Sequence, residues 1–506
     1  MKVNISNLRA IASKHPLGCI MFAAIAVRLL AVIFAKGFMA SDDYFVYLHI
    51  PWLWAHGVNR WFEMDHPSGF SIIYPGANYL FFCAVRLVGL ENPDVVMSLN
   101  RALHAAWSLV GVYYAYKLAL LIAGESNEGR RAAFLAGLLA ALLGFLPYGS
   151  VRNMPEMVCL PFVMMALYYG ERALHASHSV GWRNALFAGV AIGAAFIVRY
   201  QALAFGVPFV FIFLMKRQWK PAAAFAVGAL LMALVQGVTD QIAYGKFFGA
   251  PIQYFFYNAE HSSEYVIGPW WRYAVLLIGV FIPPFSIYFL GATFKTVKKA
   301  PIAFWGTMFF LVVHSLLPAK QERFIIPALM PLCVLGCCGL MFLRDSRPWQ
   351  WTNRFARPLW IWFWIGNAIL LVFFTFHYGK RGQIESLLYL YHHGDAQYVL
   401  IDRTDDDTWL PCLYLNEPED HFVWIGNDSD WKGFSDYRAN GGAIPHYLLI
   451  LSPHNLQAHV QAFAQHGMKL SMCEHFGPGP LEWLLWKANP KFNSPNDVYV
   501  MRVEYE

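Results

Sequence analysis

Long apolar runs separated by short polar segments set the pattern of this chain. A helix that crosses a bilayer needs about 17–25 mainly apolar residues. Runs of roughly that length lie near 17–38, 97–123, 131–149, 154–172, 182–198, 201–215, 221–239, 270–292, 301–317, 324–343 and 357–377. The pattern predicts about eleven spans, the 201–215 run being the short one. A further run, Ser71–Leu90, is apolar enough to cross, and charge decides against it. With the N-terminus inside and eleven spans, the inside loops are 124–131, 171–183, 216–220 (KRQWK), 295–299 (KTVKK) and 344–357, and each carries at least two Lys or Arg residues. A span at 71–90 would turn every later basic loop outward. That run is therefore expected to be a helix lying on, or dipping into, the outer face.

The pattern changes at His377. Short β-rich runs follow at 397–402 (QYVLID), 421–426 (HFVWIG), 446–452 (HYLLILS) and 497–505 (DVYVMRVEY), with one helical stretch from His454 to His466. A small soluble α/β domain fits this alternation. The expected organisation is a polytopic α-helical membrane domain over 1–377 and a periplasmic or lumenal α/β domain over 378–506. Within the first, 39–96 forms an outer-face loop with a membrane-surface helix, and 240–269 forms a second outer loop.

Composition agrees. Of 506 residues 58% are hydrophobic and 14% charged, against about 25% charged in soluble domains, and mean hydropathy is +0.40. The net charge of +6 sits in short clusters between apolar runs, which is an orientation signal and argues against a nucleic-acid partner. Lys2, Arg9 and Lys14 precede the first apolar run, which is long for a cleaved signal peptide and reads as a retained helix. The eight cysteines show no CxxC spacing. Buried thiols are the plain reading, while Cys412 and Cys473 could pair in an oxidising compartment. Spacing leaves that open.

In this topology six polar segments share the outer side: 39–75, 151–156, Arg199–Tyr200, 239–270, 318–324 and everything after 378. The first opens with Asp42 and Asp43 directly after an apolar run. Glycosyl transfer needs a base for the incoming hydroxyl, and one well-placed carboxylate suffices; the plainer reading is a solvated helix cap. Adjacent side chains point in different directions, so at most one is the base. Arg152, Arg199, Lys320 and Arg323 lie at outer helix ends, against the positive-inside bias. They suit a phosphate leaving group, or else snorkel to headgroups. Glu156 follows Pro155 at a helix start, where a capping role explains it equally well. Glu322 stands between Lys320 and Arg323 and could orient or neutralise them. Trp52, Trp54, Trp61, Trp270, Trp271 and Tyr273 form an interfacial belt, or stack on sugar or lipid. No GxGxxG, phosphate-binding loop or HExxH occurs, and no nucleotide cofactor is implied. The string Asp405-Asp406-Asp407 reads as a surface turn.

Taken together, several segments resemble glycosyltransferase family 22, the lipid-phosphate-mannose-dependent α-mannosyltransferases of N-glycan and GPI-anchor assembly, which have the GT-C fold. SDDYF (41–45) is similar to that family's HPDE-x-F motif, VRNMPE (151–156) to its TR-x-x-N-x-E pattern, and VRYQALAFGVP (198–208) to its VRPTA stretch. The block TDQIAYGKFFGAPIQYFFYN followed by EYVIGPWWRY resembles D-x-x-x-YG…P…YN…YG…PW-x-Y, and AKQERFIIPALMP (319–331) resembles HKEERF-x-x-P-x-x-P. Order and spacing agree over about 17–345. The departures are Ala40 for the first-motif His, Asp43 for its Glu, Ala319 for the later His, Gln321 for a Glu, and Phe70 for an Arg.

The resemblance implies transfer of a hexose, most plausibly mannose, from a polyprenyl- or dolichyl-phosphate donor to a glycan or glycolipid acceptor, with inversion. Asp42 would be the base and Asp43 would orient it or bind acceptor. Arg199, Lys320 and Arg323 would hold the phosphate, with Arg152 and Glu156 shaping the site. Asp240, Tyr244, Asn258, Trp270 and Glu322 would support it. No metal and no cofactor are expected. The membrane is a bacterial inner membrane or the endoplasmic reticulum, with the active site on the periplasmic or lumenal face. The alternatives are a GT-C transferase of another sugar onto lipid or protein, or a transporter. Against the latter, the charges sit at helix ends and the sequence shows no repeat.

Overall fold

A computed structural model describes residues 14–58, 68–262, 264, 266–344, 350–393, 395–491 and 493–506. Lys2, Arg9, Trp61, Tyr265 and the middle of the basic 344–357 loop lie outside the described residues. The chain divides into two compact units: 1–31, 59–77 and 101–375 make the first, and 32–58, 78–100 and 376–506 the second.

Seven helices among the described residues are long and apolar enough to cross a membrane: Pro16–Phe34, Pro93–Ala123, Pro155–His175, Val180–Val198, Trp219–Tyr244, Glu322–Leu343 and Phe355–Thr375. A broken pair, Arg272–Val280 and Phe285–Thr296, bent by 114°, makes an eighth candidate. By length and composition the count is therefore seven or eight, below the eleven expected. The remaining apolar runs are helical but interrupted. The 131–149 run splits into Asn127–Leu142 and Phe145–Gly149 at Leu143, whose ψ of 123° leaves the helical region. The 201–215 run becomes a 3₁₀ stretch, Tyr200–Phe205, and a nine-residue helix, Val207–Met215. Pro301–Leu316 has 16 residues. Glycine and proline break these runs while leaving their mean hydropathy high. Ser71–Leu90 forms one 15-residue helix, Ile73–Leu87, shorter than a span.

In the first unit small residues let helices touch. A Cβ on Gly189 would lie 2.1 Å from the Phe225 carbonyl oxygen, and one on Gly228 would lie 2.4 Å from that of Leu186. The 178–198 and 219–244 helices thus meet backbone to backbone, as membrane helices do at small residues. Two of the buried charges there make clear hydrogen bonds. Arg28 donates to Ser108 Oγ (2.6 Å) and to the carbonyls of Ala141 (3.1 Å) and Ala24 (3.3 Å). The Glu171 carboxylate accepts the Ala303 N–H (2.8 Å) at the start of Pro301–Leu316.

The second unit holds a five-stranded mixed sheet: β1 Val399–Asp402, β2 Phe422–Ile425, β3 Tyr447–Leu451, β4 Met468–Phe476 and β5 Val498–Tyr505. Its order is β2-β1-β3-β5-β4. β1 pairs parallel with β2 and β3, and β5 pairs antiparallel with β3 and β4. β1 and β3 are buried at every position, as central strands covered on both faces are. The four expected strands and the helix Leu456–Gln465 are present. Strand β4 was not anticipated: it is an edge, mostly exposed, with a register shift between Met472 and Glu474, so it carries no apolar run. Cys412 is buried, Cys473 is exposed, and both are free thiols.

Candidate active site

The acidic pair belongs to the second unit. After the first span the backbone forms a short helical turn, Ser41–Tyr44, then a π-helical turn, Phe45–His49, then Ile50–Ala55. Asp43 is buried, and its carboxylate accepts the Ala40 N–H at 3.1 Å, closing the start of the turn. Asp42 is partly exposed. The two carboxylates therefore differ, Asp43 buried and capping, Asp42 partly exposed. Tyr44, fully buried, accepts the Leu413 N–H at 3.0 Å. His49 Nε2 lies 2.6 Å from Glu419 Oε1, and Phe45 meets Trp409 edge to face at 6.5 Å. These anchors join the acidic turn to segment 409–419. The sequence showed none of them, because the partners lie about 370 residues apart.

The cationic group belongs to the first unit. Glu156, fully buried, sits in the first turn of Pro155–His175. Arg199, where the 178–198 helix ends, brings Nη2 to 3.1 Å from Glu156 Oε1. Arg323, in the 3₁₀ stretch Glu322–Ala328, brings Nε to 3.7 Å from the same oxygen and donates to Gln321 Oε1 at 2.9 Å. The Phe324 ring lies beside both guanidinium groups, at 4.9 Å and 5.9 Å. Three helix ends thus place two arginines on one buried carboxylate.

The other two cations are held differently. Arg152 is buried, stacks on the Tyr148 ring at 3.3 Å and donates to the Tyr148 carbonyl at 2.8 Å. The Lys320 ammonium, also buried, donates to the carbonyls of His314 (3.2 Å) and Leu317, closing the C-terminal end of Pro301–Leu316. Burial, and then the neighbouring Arg272 charge, lower its pKa. The backbone of 318–320 pairs with 266–268 through Lys320 N–Val266 O (2.8 Å) and Gly268 N–Pro318 O (3.3 Å).

The supporting residues spread along the same unit. Asp240 is buried, accepts the Ala250 N–H (3.1 Å) and the Gln236 amide (2.7 Å), and so fixes the start of Gly249–His261. Gln236 in turn accepts from Ser71 Oγ at 2.7 Å. Asn258 donates to the Tyr254 carbonyl (2.7 Å). Tyr244 is the last residue of Trp219–Tyr244. Trp270 is exposed, and Glu322 pairs with Arg272. Tyr254 was missed by the sequence reading. Its hydroxyl takes the Gln201 amide, and it lies within electrostatic reach of Arg199, Glu156 and Arg323. Burial pushes this phenol above its ordinary value. It lies inside the GAPIQYFFYN block, which was the only available signal.

Each aspartate of the 405–407 string is locally engaged. Asp405 accepts from the N–H of His454 (2.6 Å) and from His459 Nε2 (3.0 Å), Asp406 from Ser494 Oγ (3.0 Å), and Asp407 from Arg403 (3.1 Å). The Asp402 hydrogen bond raises His459 to about 9. Among the described residues no group of three or more His, Cys, Asp or Glu side chains is placed to hold a metal ion.

Comparison with known proteins agrees with this architecture. A model of the Alg9-like mannosyltransferase family matches residues 19–401. GPI alpha-1,2-mannosyltransferase 3 of Xenopus laevis is 22% identical over 345 residues, covering 65% of this chain and 60% of that protein. Alpha-1,2-mannosyltransferase ALG9 of Homo sapiens is 28% identical over 285 residues, covering 50% and 42%. The chain thus spans less than two thirds of the length of these relatives. Among solved structures, ArnT from Cupriavidus metallidurans bound to undecaprenyl phosphate superposes with a TM-score of 0.58 at 14% identity, covering 96% of this chain and 97% of that one. The fold is ArnT-like, and the chain is a multi-pass membrane protein.

Proposed function

For this chain, which belongs to the Alg9-like mannosyltransferase family, we propose transfer of a hexose, in first place mannose, from a polyprenyl- or dolichyl-phosphate donor to a glycan or glycolipid acceptor, with inversion at the anomeric carbon. Asp42 takes the proton of the acceptor hydroxyl as its oxygen bonds to the anomeric carbon. The bond from that carbon to the phosphate oxygen breaks, and the electron pair leaves with the polyprenyl phosphate. Arg199 and Arg323 meet the negative charge that develops there, and Arg152 and Lys320 add to the positive field.

The observation that carries this reading is the convergence of Arg199 and Arg323 on the one buried carboxylate of Glu156. Ionisable groups within a membrane domain are expensive and by default functional. Two guanidiniums held at one buried carboxylate supply a cluster of N–H donors of the kind that binds a phosphate. The partly exposed Asp42 beside the buried Asp43 supports Asp42 as the base, with Asp43 orienting the turn. Undecaprenyl phosphate on a chain of this fold supports a polyprenyl carrier. In this reading 1–377 carries the chemistry, 378–506 stands in the periplasm or lumen, and eleven apolar segments enter the bilayer, the short ones partway. Ala40, Ala319, Gln321 and Phe70 stand where the family has polar or charged side chains. They favour, as a second reading, a different sugar on the same carrier.

The test uses the purified full chain in detergent with radiolabelled polyprenyl-phosphate-mannose and a membrane lipid extract as acceptor. Transfer by wild type, abolished in Asp42→Asn with donor binding retained, is the expected result. Normal transfer by Asp42→Asn removes Asp42 from the reaction. A wild type that neither binds nor consumes this donor overturns the choice of sugar or carrier.

A further inference from the structure

One surface of the first unit carries an apolar groove with a volume of about 740 Å³. The helix Phe285–Thr293 and the 3₁₀ turn after it supply Ile287, Gly291 and Lys295, four residues apart and so on one helical face. Phe355 and Trp362, from the Gln350–Thr375 helix, form the facing wall. At one end, beside Pro284, the groove is shut: the Trp362 indole N–H donates to the Pro283 carbonyl at 2.8 Å. At the other end stands the exposed Lys295, and no carboxylate among the described residues pairs with it. Exposed Lys298, Lys299 and Arg357 lie near in sequence to the same end.

The dimensions match one leaflet. Pro284 to Lys295 is a rise of about 16 Å at helical geometry, and half the hydrocarbon core of a bilayer is about 15 Å. A groove of that length, shut at one end and open to an exposed cation at the other, fits an acyl chain with an anionic headgroup. Gly291 widens it, since a Cβ there would meet nothing within 4 Å. This groove is separate from the cationic group described above. Lys295, Lys298 and Lys299 precede the start of Pro301–Leu316, whereas Lys320 closes its other end, roughly 24 Å away along the helix.

We propose that this groove is a binding site for an anionic glycerophospholipid, its acyl chain lying along Ile287, Gly291 and Trp362 and its phosphate at Lys295. The site belongs to the leaflet that faces the basic loops, where anionic lipid is drawn to clustered lysines. The zwitterionic lipids of the same membrane fill the groove without being held by its cation.

The full chain is purified in mild detergent and titrated with phosphatidylglycerol or phosphatidylcholine, and bound lipid is counted by native mass spectrometry. Phosphatidylglycerol is expected to be retained in preference to phosphatidylcholine. Lys295→Gln should lower its apparent affinity about fivefold, the effect of one basic residue at a charged surface. Gly291→Leu, which fills the groove without touching the charge, should weaken both lipids. Lys295 is exposed, so its variant keeps the fold, and monodisperse elution of each variant is checked first. Equal retention of the two lipids, or unchanged affinity in the Lys295 variant, overturns the proposal. Displacement of phosphatidylglycerol by an equimolar polyprenyl phosphate also overturns it, and would make the groove a carrier-lipid site.

Discussion

At the scale of single residues, neighbouring carboxylates are placed differently. Asp43 turns inward and satisfies the Ala40 N–H, while Asp42 stays partly exposed. Asp43→Ala, which removes that acceptor, is therefore expected to cost about 1 kcal/mol of stability, as cap losses do, and to leave a measurable rate, unlike Asp42→Asn. A radiotracer assay and a thermal melt on the same preparations separate the two. Glu156 is the other informative residue. Neutralising it removes a buried carboxylate charge from beside the Arg199 and Arg323 guanidiniums, themselves mostly buried. Glu156→Gln should then destabilise the chain by about 3 kcal/mol, in the range for broken buried pairs. Unfolding in denaturant within a fixed detergent gives the number, and a loss below about 1 kcal/mol would mean that the pair is weak.

At the scale of elements, the acidic turn is held from far along the chain. Leu413 and Glu419 reach Tyr44 and His49 of the turns that follow Asp42, and in the proposed mechanism this would give part of the C-terminal region a positioning role. Glu419→Ala should lower kcat by up to about a hundredfold, because a misplacement of about 1 Å caused far from the chemistry costs that much. The KM for donor should hold. A raised KM with unchanged kcat would show that the contact serves binding or stability instead. These pairings explain why helix existence was readable and the anchoring was not. Apolar runs and N1 prolines are local signals, whereas Tyr44–Leu413 has no local trace. Strand β4 was illegible for a related reason: an exposed edge needs no apolar pattern.

For the whole molecule, the decisive quantity is orientation. If basic loops face inward, Cys473, exposed on strand β4, lies on the outer side, and a cysteine introduced at Gln218 lies on the inner one. A membrane-impermeant maleimide added to intact cells should label Cys473 at once and the Gln218→Cys variant (in a Cys473→Ser background) only after permeabilisation. Labelling of both from outside would invert or break the topology. The same experiment tests the lipid groove indirectly, since Lys295 must share the side of Gln218.

Sequence by itself determined the membrane class, the helical character of each apolar run, four of the strands and the family, because hydropathy, alternation and motif order are written locally along the chain. It also named the cations and the acidic pair. Only tertiary structure decided how many runs are long enough to cross, since single glycines and prolines break helices without changing mean hydropathy. Only tertiary structure gathered Arg199 and Arg323 onto Glu156, turned Lys320 to a helix end, divided Asp42 from Asp43, and drew segment 409–419 to the acidic turn. Those outcomes depend on which side chains meet across hundreds of residues, and burial makes such meetings obligatory once a charge or a backbone group leaves water.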